Sequence, residues 1–146
     1  MTTRKSIAAL CAVAAWTFSA GSAWAHPSAM MTGSLTSQPI GHYEFCKRNA
    51  SECSIRTRDV TPLKMSTELL GRLKKLTVTM NQAIKPKSDL ELYGKEEYWT
   101  YPVDAGDCED YALAKRRVLM EDGISASNLL LTVLRRPNGD GHAGLT

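Results

Sequence analysis

Apolar residues recur at spacings of three and four from Leu69 through Leu73, Leu76 and Met80 to Ala83, with Lys74, Lys75 and Asn81 off the stripe. A helix carries residues so spaced on one face, so the pattern predicts an amphipathic helix from Ser66 to Ile84-Lys85-Pro86, with its stripe in the core. A second helix is expected from Asp107 to about Asp122, with Asp107 as N-cap and Gly123 just past its end. Asn128 to Leu134 is a run of Leu, Thr and Val that reads as a strand. It leads into the turn Pro137-Asn138-Gly139-Asp140-Gly141, and His142 to Thr146 starts the antiparallel return strand. Gly144 weakens that strand, because an apolar β-former is expected in a half-buried position. Lys87 to Gly106 carries Tyr93, Tyr98, Trp99 and Tyr101 among charges, broken by Gly94 and Pro102, and reads as an ordered loop.

Upstream of these elements the pattern changes character. Arg4 and Lys5 precede the apolar stretch Ile7 to Phe18, and Ala23-Trp24-Ala25 places small residues where a signal peptidase reads. Residues 1–25 are therefore expected to be a signal peptide, followed by a flexible leader over 26–40 and a domain over 41–146. The apolar stretch is too short for a comfortable permanent span, and Leu10 before Cys11 argues against lipoprotein processing. Loss of Arg4 and Lys5 with the signal lowers the net charge from +3 to +1. The remaining Lys and Arg gather on no single face or loop, so nucleic acid is not an expected partner.

Export changes the meaning of the four cysteines. Cys11 leaves with the signal, and three remain for an oxidising compartment. Cys46 and Cys53 lie seven positions apart across polar residues suited to a short loop. No zinc-type spacing accompanies them, so they are expected to form a disulfide. Cys108 is then a free thiol where free thiols oxidise. At the first turn of the second helix, backbone N–H groups and the helix dipole favour a thiolate. Asp104, Asp107, Glu109 and Asp110 oppose this, since negative charge raises a thiol pKa. A hard cation such as Ca²⁺, held by carboxylate and backbone oxygens, would offset them; capped, solvated acids are the alternative. His142, at the start of the return strand, is the candidate base for Cys108.

The segments Tyr93-Gly94, Tyr98-Trp99, Gly106-Asp107-Cys108-Glu109-Asp110-Tyr111-Ala112, Lys115-Arg116 and Gly139-Asp140-Gly141-His142-Ala143 resemble the bacterial transglutaminase-like cysteine proteinases. The resemblance implies an α+β, papain-like or transglutaminase-like fold, with helices packed on an antiparallel sheet and the nucleophile at a helix N-terminus. It implies a Cys-His-Asp triad in which Cys108 is the nucleophile and His142 the base. It further implies a periplasmic location and Ca²⁺ held by Asp107 and Glu109, with Asp110 beside them. A protein substrate is implied, of which a large surface adhesin is the type, along with an inner-membrane receptor for cyclic-di-GMP as partner. The triad Asp would lie on the strand after that of His142 and has no match here, so a sheet truncated at the C-terminus is expected. The alternative is a truncated or pseudoenzyme relic that binds Ca²⁺ or a partner without catalysis.

Overall fold

The computed structural model describes residues 32–146, so the expected signal peptide and the first residues of the leader lie outside the described residues. Ser66 accepts the Leu69 N–H on its hydroxyl at 3.0 Å and so starts helix α3, Thr67–Ala83, where the periodicity predicts it. Leu69, Leu73, Leu76 and Met80 of the expected stripe are only half-buried, and Ala83 at its end is exposed. The stripe is therefore not closed core: Leu73 and Leu76 line an open cleft described below. Among the described residues, no helix is long and apolar enough to cross a membrane.

The second expected helix is α5, Cys108–Glu121, which buries Ala112, Leu113 and Leu119 and packs against α3 on one side. Its other partner is strand β4, Gly141–Leu145, which pairs antiparallel with β3, Leu131–Arg135, in the register Leu131 with Leu145 and Leu134 with His142. The strand thus begins later than expected. Asn128 instead closes a short 3-10 turn, Ala126–Asn128, and its side-chain amide holds the Thr61 carbonyl and the Leu63 N–H. The hairpin closes through Arg136 N–H to the Asp140 carbonyl at 2.8 Å, with Gly139 at φ 92°, a conformation that favours glycine. Gly144 lies opposite Thr132 with open space where a Cβ would stand.

Three further pieces depart from the expected pattern. Helix α1, Ile40–Arg48, and the single turn α2, Ala50–Cys53, occupy a region with no apolar period, because α1 buries only Gly41 and Phe45. The Cys46–Cys53 disulfide staples these two elements, with Cα atoms 5.5 Å apart. Within Lys87 to Gly106 there is a short helix α4, Asp89–Tyr93, with a full capping box: Ser88 accepts the Glu91 N–H while the Glu91 carboxylate accepts the Ser88 N–H. The ends of that segment are tied by a parallel bridge between β1, Lys85–Pro86, and β2, Ala105–Gly106. Phe45, Trp99, Leu113 and Ala143 form the central cluster, and Cys46, Cys53 and Cys108 all pack against it. The result is a mixed α and β domain in which α5 lies between α3 and the hairpin.

One glycine sets the spacing at the start of α5. A Cβ on Gly106 would lie 2.6 Å from Asp110 Oδ2, and Asp110 is fully buried and bonded to the Thr100 N–H at 2.8 Å. Gly106→Ala is therefore expected to destabilise the domain by about 1–3 kcal/mol, measured by urea unfolding, because neither backbone nor carboxylate can step aside.

Candidate active site

Cys108 is the first residue of α5, and the β2 bridge immediately before it fixes its position. Its sulfur accepts the Ala143 N–H at 3.3 Å, and its S–H donates to Glu109 Oε2 at 3.1 Å. Through Ala143 the thiol is tied directly to the strand that carries His142. Burial pushes the thiol up to about 11; the Ala143 N–H works against this, and the charges of Glu109 and Asp107 add to it. The expected pull of the helix N-terminus is thus outweighed in the protein by itself.

Cys108 and His142 line the same two openings, a cleft of about 720 Å³ between α3, α5 and β4 and one of about 490 Å³ toward Ser88 and the hairpin turn. The imidazole is not bonded to the thiol. Its Nδ1 lies 3.0 Å from an Arg136 guanidinium nitrogen, which can only donate, so Nδ1 is the acceptor and the ring proton sits on Nε2. Arg136, at the mouth of the hairpin turn, was not singled out by the sequence. A cation six residues from the candidate base, across a two-strand turn, was the available signal.

The acids around the thiol come from two segments. Asp107 stands at the N-cap position of α5, but its side chain does not cap that helix. Its Oδ2 instead accepts the Asp89 N–H at 3.3 Å, so it secures the start of α4. Asp89, Asp107 and Glu109 each present an oxygen within 4.8 Å of the others. Asp89 was missed in the sequence, which offers no signal for it beyond its position just after Ser88, the N-cap of α4. Asp110, expected beside the pair, is outside this trio: Oδ1 holds the Thr100 N–H and Oδ2 faces Gly106.

The trio has the chemistry of a hard-cation site. Asp89 is 1% exposed and Glu109 6%, while Asp89 Oδ1 and Asp107 Oδ1 are buried without a hydrogen-bond partner among the described residues. A buried carboxylate oxygen left unpaired is costly, and a divalent cation is one partner that satisfies several at once. Burial drives Glu109 up to about 8 and Asp110 up to about 7, and also raises Asp107. An oxygen-only set suits Ca²⁺ better than Zn²⁺.

A family model described as bacterial transglutaminase-like cysteine proteinase (BTLCP) matches residues 32–146, which takes in every element named above. No curated protein matches the chain.

Proposed function

Because the chain belongs to the bacterial transglutaminase-like cysteine proteinases, we propose that it is a calcium-supported periplasmic endopeptidase in which Cys108 is the nucleophile and His142 the base. The observation that carries this reading is the shared cleft: a thiol at a helix N-terminus, fixed by the Ala143 N–H, with the His142 ring on the same walls. In the reaction His142 Nδ1, once released from Arg136, takes the thiol proton, the sulfur attacks the peptide carbonyl, and the imidazolium returns the proton to the leaving amine. Water then hydrolyses the thioester. Backbone N–H groups at the start of α5 are the candidate oxyanion donors. Asp89, Asp107 and Glu109 are the groups that would hold Ca²⁺. Bound there, the ion would supply positive charge against Glu109 and Asp107, whose charges add to the burial that keeps the thiol protonated.

A protease family implies a protein substrate. The resemblance noted in the sequence favours a large surface adhesin as that substrate, and an inner-membrane cyclic-di-GMP receptor as the regulatory partner. A second reading, a relic that binds Ca²⁺ or a partner without catalysis, is favoured by the engagement of His142 Nδ1 with Arg136.

A thiol-directed peptide affinity label applied to the purified chain, with Ca²⁺ and with chelator, separates the two. Saturable labelling of Cys108 that needs Ca²⁺ supports the protease; labelling no faster than that of a small free thiol supports the relic. Arg136→Ala is expected to raise the labelling rate severalfold, because it frees Nδ1 to accept the thiol proton. The rate against pH checks this, and an unchanged rate would show that Arg136 does not restrain the base.

A further inference from the structure

A second cluster of metal-binding side chains lies at α1 and α2, apart from the Cys108 cleft. His42 is one helical turn before Cys46, and both of its ring nitrogens lie near Cys46 Sγ, Nδ1 at 3.8 Å and Nε2 at 3.7 Å. His42, Cys46 and Cys53 each offer one ligand atom within 4.8 Å of the others. Two ligands sharing a tetrahedral zinc, with zinc–sulfur at about 2.3 Å and zinc–nitrogen at about 2.0 Å, sit about 3.6 Å apart. The Nε2 separation matches that distance, but the nearly equal Nδ1 separation puts the sulfur over the ring face, so the Cys46 side chain, once freed from the disulfide, must turn to share an ion on the Nε2 lone pair.

The surroundings prepare the imidazole for this task. Gln38 Oε1 lies 3.2 Å from Nδ1, so Nδ1 carries the proton and Nε2 the free lone pair, the arrangement by which an outer carbonyl fixes the tautomer of a ligating histidine. The edge of the ring also packs on Trp99 at 5.3 Å, which restricts its swing. His42, Glu52 and Cys53 line a cavity of about 260 Å³, which leaves room beside Cys53 for a fourth ligand.

We propose that, once the Cys46–Cys53 disulfide is reduced, the two thiolates and His42 bind one Zn²⁺, with water from the adjoining cavity in the fourth position. The reductant is a dithiol: its two sulfurs join as a disulfide, and two electrons and two protons pass to Cys46 and Cys53. Zinc then displaces both thiol protons and is neither oxidised nor reduced. The sulfurs must part to about 3.8 Å, the spacing of two thiolates on one tetrahedral zinc. The ion replaces the disulfide as the staple between α1 and α2, so this corner of the fold stays closed in both redox states.

The test is zinc titration of the full chain, oxidised and phosphine-reduced, against a chromophoric chelator, with Co²⁺ as a spectroscopic substitute. One ion per reduced chain, none per oxidised chain, and a sulfur-to-cobalt charge-transfer band are expected. His42→Gln should weaken binding by about tenfold or more, and Cys46→Ser should remove the band. Cys108→Ser should leave zinc binding unchanged, which separates this site from the proposed catalytic thiol. Equal affinity in His42→Gln, or loss of binding in Cys108→Ser, would overturn the assignment. So would a reduced chain that binds no zinc, or one that unfolds by circular dichroism and does not regain its helical signal when zinc is added.

Discussion

Cys108→Ser is expected to abolish peptide-bond hydrolysis, lowering kcat/KM by about 10³-fold or more, with little change in stability. Serine keeps a donor toward Glu109 and an acceptor for the Ala143 N–H, so neither partner is left unpaired. Alanine would leave both without a partner and would confuse chemistry with folding. His142→Ala is expected to cost roughly 10²–10⁴-fold, because a thiol held near 11 carries almost no thiolate at neutral pH unless a base takes its proton. The check is cleavage of a fluorogenic peptide or protein substrate by both variants, with urea unfolding run in parallel. A His142→Ala variant as active as the parent would mean that the proton leaves by another route, and the base assignment would be lost.

The second large effect is a crossing of stabilities. In chelator, Asp89→Asn is expected to be as stable as the parent or more so, because it removes the charge of the most buried of three clustered acids. Its amide oxygen can still accept the Tyr98 N–H that Asp89 Oδ2 now holds. In excess Ca²⁺ the order should reverse. A parent at a hundred times its Kd gains about 2.7 kcal/mol from binding, and the variant, short of one ligand charge, gains much less. Glu109→Ala should behave the same way, and it too leaves every helix cap in place. Asp107→Ala is less clean, because it also releases the Asp89 N–H. Differential scanning calorimetry with and without Ca²⁺ measures all of these. If Asp89→Asn keeps the full Ca²⁺ shift, Asp89 is not a ligand.

What the sequence made legible follows from where the physics is local. The α3 stripe and its Ser66 cap are set by residues within two turns of each other, and the β3–β4 hairpin by a turn whose Gly139 has no alternative backbone. Cys108 and His142 were legible because each stands at the edge of such an element. Asp89 was not, because its part in the trio depends on a chain reversal that brings α4 back against the start of α5. Asp107 was assigned to its own helix for the same reason: spacing shows which residue precedes a helix, not where its carboxylate turns. Helix α1 escaped notice because its stability comes from Phe45 and the disulfide rather than from a periodic face. The half-exposure of the α3 stripe was likewise invisible, since period identifies the inner face but not how completely anything covers it.

The loop between the two bridge strands is held in an unusual way. Tyr98 and Thr100 give their backbone N–H groups not to carbonyls but to the carboxylates of Asp89 and Asp110. These two amides therefore sense the charge state of the acids directly. Hydrogen exchange at two loop positions then serves as a gauge of the acid cluster: whatever neutralises or ties down those carboxylates alters the solvent exchange of Tyr98 and Thr100, while amides along α5 keep time with the domain as a whole.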